Sequence, residues 1–114
     1  MKDQLFLLKP GFFNATLGPL YCGDSVAVEG MLSFFPELRD LIDVHYIAFP
    51  RPRAELVDLL GDEHQSVPML VIRNTKPIAD GGIMPQIANG ERFLDNERLI
   101  RRYLSSQYDL PLAG

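Results

Sequence analysis

The apolar pattern begins with Leu5-Phe6-Leu7-Leu8, a continuous run closed by Pro10-Gly11, which predicts a buried strand and then a turn. From Gly11 to Tyr21, glycine, asparagine, threonine and proline sit among two phenylalanines, and the segment predicts an ordered loop rather than a linker. Residues 25 to 35 place Val26, Val28, Met31, Leu32, Phe34 and Phe35 on the broad apolar face of a helix that Pro36 stops. Gly30 within it costs about 1 kcal/mol against alanine, so close packing is expected there.

Val44, Tyr46 and Ala48 alternate with His45, Ile47 and Phe49, and both sets are largely apolar. That pattern predicts an interior strand of a parallel sheet, covered on both faces. Pro50-Arg51-Pro52 leads into a second helix, with Pro52 in its first turn, Leu56, Val57, Leu59 and Leu60 as its stripe and Gly61 at its end. After the polar loop Asp62 to Ser66, Met69-Leu70-Val71-Ile72 is a strand entered through Val67-Pro68. Arg92-Phe93-Leu94 is a short strand. Asp95 then caps a last helix with Leu99, Ile100, Tyr103 and Leu104 on one face and Glu97, Arg98, Arg101 and Arg102 on the other.

Residues 73 to 90 are long for a connection and carry Ile78, Ile83, Met84 and Ile87, too many large apolar groups for a merely exposed loop. The expectation is that they pack beside the surface of Cys22 and Pro68 or form a homodimer contact, with Gly81-Gly82 as the flexible point.

The element order is β-α-β-α-β-β-α. A right-handed crossover makes the first two strands parallel, and the sequential last two are antiparallel. The expectation is one α/β domain spanning 1–114, a thioredoxin-like fold with a four-stranded mixed sheet flanked by helices.

Charge and cysteine content narrow the class further. Fifteen acidic residues against 11 basic give a net charge of −4, with no Lys/Arg run to bind nucleic acid. No apolar stretch is long enough to span a bilayer, and Leu5–Leu8 is too short for a signal-peptide core. One cysteine makes no internal disulfide, and the expected compartment is the cytoplasm.

Four local features carry a family resemblance. Cys22-Gly23-Asp24-Ser25, at the head of the first helix, resembles the Cys-Gly-Phe-Ser motif of monothiol glutaredoxins. Ser66-Val67-Pro68 resembles the Thr-Val-Pro segment whose proline is cis across the thioredoxin superfamily. Lys9 is similar to the glutaredoxin lysine that meets a carboxylate of glutathione, and Asp95-Asn96 to the polar pair that holds its γ-glutamyl end. The chain as a whole also resembles a family of small bacterial thioredoxin-like proteins of unknown function. The resemblance implies a glutathione-linked thiol protein, with Cys22 and Ser25 as the reacting pair and Lys9, Val67, Pro68, Asp95 and Asn96 as the glutathione or peptide cradle. Three departures qualify it: the distance from Lys9 to Cys22 is longer than in glutaredoxins, Asp24 brings a carboxylate beside the thiol, and 73–90 has no counterpart.

A thiol at a helix N-terminus faces free amides and the positive end of the dipole, which favour the thiolate. Ser25 is placed to donate to the sulfur, whereas Asp24 penalises its charge. With no second cysteine, a redox cycle needs an outside thiol such as glutathione. Two other functions fit the same residues: a non-catalytic adaptor in which Cys22 is only a small packed residue, and an iron–sulfur carrier in which two copies share a cluster through Cys22 and external thiols. Partners are accordingly a thiol-containing small molecule or protein, and no metal-ligand spacing is present in the single chain. His45 is expected as a satisfied sheet residue, His64 as a solvated loop residue, and Arg51 and Arg53 as exposed charges.

Overall fold

The computed structural model describes residues 1–114. In chain order it contains β1 (Gln4–Leu8), β2 (Phe12–Asn14), β3 (Leu17–Leu20), α1 (Gly23–Phe34), α2 (Leu38–Leu41), β4 (Asp43–Ile47), α3 (Ala54–Leu60), β5 (Met69–Ile72), β6 (Gln86–Ala88), β7 (Glu91–Leu94) and α4 (Glu97–Gln107). The main sheet is mixed, in the order β4-β1-β5-β7-β6. As expected, β1 and β4 are parallel, with Leu5 opposite Val44, and β5 and β7 are antiparallel, with Val71 opposite Phe93.

Alternation along β1 explains why both faces of the sheet are covered, since successive side chains of a strand point to opposite sides. Leu5 and Leu7 join Val28 and Leu32 of α1, Leu38 of α2, and Ile100 and Leu104 of α4 in the larger core cluster. Phe6 turns the other way and packs with Met69, Val71 and Phe93 against Leu56 and Leu60 of α3. The apolar run at Leu5–Leu8 is therefore continuous because it feeds two cores.

Several expectations are corrected. The main sheet has five strands, not four, because residues 86–88 add β6 to the edge beyond β7. The segment from Gly11 to Tyr21 is not a loop but a β2–β3 hairpin forming its own two-stranded sheet. Its Gly18 has φ +147°, and an added Cβ would lie 2.7 Å from the Phe13 ring and 2.8 Å from the Phe12 carbonyl, so only glycine fits. The strand at 43–47 is an edge strand with Tyr46 exposed, not an interior one, and it ends before Ala48 and Phe49. Pro52 precedes α3 instead of occupying its first turn, and Arg53 is the N-cap. The cap of α4 is Asn96, one residue after the expected Asp95.

The 73–90 segment divides between core and surface. Ile83 is buried and Ile78 packs against the larger cluster, whereas Met84 and Ile87 are exposed. Asp80 binds Arg102 of α4, and the Ala79 amide donates to Gln107 Oε1 at 2.9 Å. The first part of the segment is thus fastened to α4. At the end of the sheet where β1 begins, the fully buried Asp3 carboxylate accepts from Asn74, Tyr103 and Tyr108.

Candidate functional site

Cys22 stands at the junction of the hairpin and α1, in extended conformation (φ −86°, ψ 116°) as the helix N-cap. Its Sγ accepts from the Ser25 amide at 3.4 Å, the position that an aspartate or serine oxygen normally takes at a helix start. Cys22 is half-buried and lines a recess of about 190 Å³ together with Leu8, Pro10, Tyr21, Val26 and Tyr46. Ser25 contributes its amide to the sulfur. Its buried hydroxyl instead accepts from the Leu8 amide at 3.1 Å, locking the first turn of α1 to the end of β1. Asp24 is exposed in that turn.

On the far side of the recess, the Tyr46 hydroxyl lies 2.9 Å from both Glu29 carboxylate oxygens and accepts from Arg39 at 3.1 Å. Burial pushes the Tyr46 phenol above its ordinary value; the Arg39 hydrogen bond opposes it, and the hydrogen bond to Glu29 and the Glu29 charge add to it.

The residue that sequence reasoning missed is Arg53. It is not a solvated charge but is 7% exposed. Its Nε and Nη2 donate to the Phe49 carbonyl at 3.1 and 2.8 Å, and its Nη1 to the Gln65 carbonyl at 2.7 Å. Its own amide donates to Gln65 Oε1 at 2.7 Å, and Gln65 Nε2 returns to the Asp62 carbonyl. This clamp joins the start of α3 to the loop that runs into Val67-Pro68. The guanidinium also sits over the Phe49 ring at 5.7 Å, and Phe49 stacks on Phe12 of the hairpin with centroids 4.4 Å apart. All three guanidinium bonds go to neutral carbonyls, so its charge has no anionic partner. Burial, then the neighbouring Arg51, hold the group below its ordinary value, and the Cys22 sulfur acts in the opposite sense.

Lys9, Val67-Pro68 and Asp95-Asn96 adjoin strand ends on the same side of the main sheet but are differently engaged. Val67-Pro68 is a cis peptide leading directly into β5, as expected, and Pro68 is buried. Gly18-Pro19 and Arg51-Pro52 are also cis. Lys9 follows β1, with its amide on the Ile47 carbonyl at 2.9 Å and its side chain exposed. Asp95 Oδ1 accepts from Gln86 at 2.9 Å, and Asn96 Oδ1 caps α4 by accepting from Leu99 at 3.1 Å. His45 bonds Gln4 at 2.6 Å and stacks on Phe6, a satisfied sheet residue as expected. His64 is not free in solvent but is half-buried against the Phe93 ring.

A family model described as "Protein of unknown function (DUF3088)" matches residues 2–112, nearly the whole chain. The chain belongs to the DUF3088 family. No curated protein and no solved structure matches it. For this DUF3088 member, then, the chemistry rests on its own residues, and no three His, Cys, Asp or Glu side chains converge on a point where one chain would hold a metal. No helix is long and apolar enough to cross a membrane.

Proposed function

We propose that this protein has a thioredoxin-like fold and works as a monothiol, glutathione-linked thiol protein through Cys22. The fold reading is supported by the parallel β1–β4 pair joined through α1 and the antiparallel β5–β7 pair. On this reading β6 and the β2–β3 hairpin are additions to that frame.

The single observation that carries the chemistry is the Cys22 sulfur as N-cap of α1, accepting from the Ser25 amide. A thiolate there gains an amide hydrogen bond and the helix dipole. In the cycle, the Cys22 thiolate attacks the glutathione sulfur of a glutathionylated substrate. A Cys22–glutathione disulfide forms and the substrate leaves as a thiolate. A second glutathione thiolate then attacks that disulfide, giving oxidised glutathione and restoring the Cys22 thiolate, so sulfur and electrons balance. Lys9 and the backbone of Val67 supply the cradle. Asp95 and Asn96, already engaged through Oδ1, offer their remaining polar atoms.

The test is glutathione release from a glutathionylated peptide in the presence of reduced glutathione, with mass spectrometry of the protein to detect the Cys22–glutathione disulfide. The expected result is a glutathione adduct on Cys22 and turnover that Cys22→Ser abolishes. No adduct and no release would overturn the reading. That result would favour a non-catalytic adaptor, for which the exposed Phe13, Leu17 and Tyr21 around the hairpin offer a contact surface. A visible chromophore after anaerobic purification would instead point to the shared iron–sulfur cluster.

A further inference from the structure

A second concavity lies away from Cys22. A groove of about 850 Å³ runs between α1 and α4, a volume typical of small-molecule sites and far above the recess at the thiol. On the α1 side it is lined by Ala27, Gly30 and Phe34, and Leu112 closes part of the other wall. Phe34 is 84% and Leu112 66% exposed, so these apolar groups face water in the free protein.

Gly30 is the informative residue. A glycine in mid-helix is costly, and close packing by a neighbour would justify it. Yet a Cβ built on Gly30 meets no atom within 4 Å. Nothing in the chain needs the missing side chain, and its absence leaves the groove open along the middle of α1.

The α4 side supplies charge. Arg101 is paired with Glu97 and Arg102 with Asp80, whereas Arg98, also lining the groove, takes part in none of the ion pairs. An unpaired guanidinium beside an apolar trough is complementary to a molecule with one anionic end, and its planar fork suits a carboxylate. We propose that this groove binds a small amphipathic carboxylate, with its head at Arg98 and its hydrocarbon or aromatic body along Ala27, Gly30 and Phe34.

Decanoate, decanol and acetate, titrated separately into the full chain by calorimetry, test this. Decanoate should bind with a Kd on the order of 0.1 mM, given the efficiency expected of a ligand of its size. Decanol should bind at least about fivefold more weakly and acetate not measurably, since head and body contribute together. Gly30→Leu puts a side chain into the trough from a position where its Cβ meets no neighbour, and should weaken decanoate at least about tenfold. Should Gly30→Leu lose its fold, Ala27→Leu carries the same expectation. Arg98→Gln should bring decanoate and decanol to similar affinities, and Cys22→Ser should leave decanoate binding unchanged, which separates this site from the thiol. Equal binding of decanoate and decanol by the parent, or full decanoate affinity in the filled variant, would overturn the proposal. So would a concentration-dependent dimer that Gly30→Leu abolishes, because the groove would then receive a second copy.

Discussion

The Tyr103 hydroxyl donates to Asp3 Oδ2 at 2.6 Å, linking the residue just before the first strand to the middle of the last helix. Around the same carboxylate converge the amides of Arg73 and Asn74 at 2.8 and 2.9 Å, the Asn74 side chain, and the Tyr108 hydroxyl at 2.8 Å. Asp3 is a buried charge stabilised entirely by hydrogen bonds, with no cation among those partners. Removing it strands several donors at once, and the cost of a buried polar group left unpaired exceeds the net worth of any one bond. Asp3→Ala should lower unfolding stability by about 3 kcal/mol or more, and Tyr103→Phe by about 1.5–3 kcal/mol. Urea denaturation of both variants measures this, and a loss below 1 kcal/mol for Asp3→Ala, roughly that of a surface change, would refute it.

The same cluster sets the pH range of stability. Burial, first, and the Asp3 charge raise both the Tyr103 and Tyr108 phenols above their ordinary value. A group whose folded-state value is raised contributes stability that is intact below its unfolded value, about 10 for tyrosine, and lost as pH rises beyond it. Asp3 works in the other direction. Burial alone would raise it, but the bonds from Tyr103, Asn74 and Arg73 outweigh burial and lower it. Its contribution is present above the unfolded value of about 3.9 and disappears as pH falls through the folded value. Urea midpoints should therefore fall above about pH 10, and Tyr103→Phe should make that alkaline fall shallower. An unchanged alkaline slope in the variant would contradict this account.

Within 73–90, exposure decides the outcome of substitution. Ile83, 3% exposed in the larger core, should cost about 2–4 kcal/mol when changed to alanine. Met84→Ala and Ile87→Ala, at residues 80% and 73% exposed, should stay within about 0.5 kcal/mol. Thermal melts of the three variants separate these cases. If Ile87→Ala leaves stability alone but changes the mass in solution, the exposed half of the segment is a contact between copies.

Arg53 should not tolerate lysine. A lysine reaches one carbonyl where the guanidinium fork holds both Phe49 and Gln65, so Arg53→Lys should cost about 2 kcal/mol despite keeping the charge. Arg53→Met removes all three guanidinium hydrogen bonds and should cost more than Arg53→Lys in the same urea titration. Equal stability of Arg53→Lys and the parent would refute this account of the clamp.

How much of this was legible in the sequence depends on how local each cause is. The runs at Leu5–Leu8 and Met69–Ile72 and the stripes of α3 and α4 announce themselves because burial repeats with the element's own period. Cys22 at the head of α1 was readable for the same reason: capping is settled within four residues. Strand β6 was not, since it has three residues, Gln86 and Ile87 exposed, and exists only through its pairing with β7. The hairpin escaped because its glycines and proline read as a loop, while Phe12 finds its stacking partner at Phe49, far along the chain. Asp95 and Asn96 are both competent caps, and sequence alone does not choose between neighbours. Arg53 is the least legible residue of all, because its burial depends on carbonyls at 49 and 65 that no local pattern reveals.

The Arg53–Gln65 clamp also bears on how the family diverges. Each residue satisfies groups that the other exposes: Gln65 Oε1 takes the Arg53 amide, and Arg53 Nη1 takes the Gln65 carbonyl. Loss of one leaves the other buried with unanswered polar atoms, so a lineage that changes either position is under pressure to change both. Aligned relatives should therefore vary jointly at 53 and 65, while Arg51, exposed beside them, drifts independently. Independent variation at the two positions would mean that the clamp is an idiosyncrasy of this chain and not a shared inheritance.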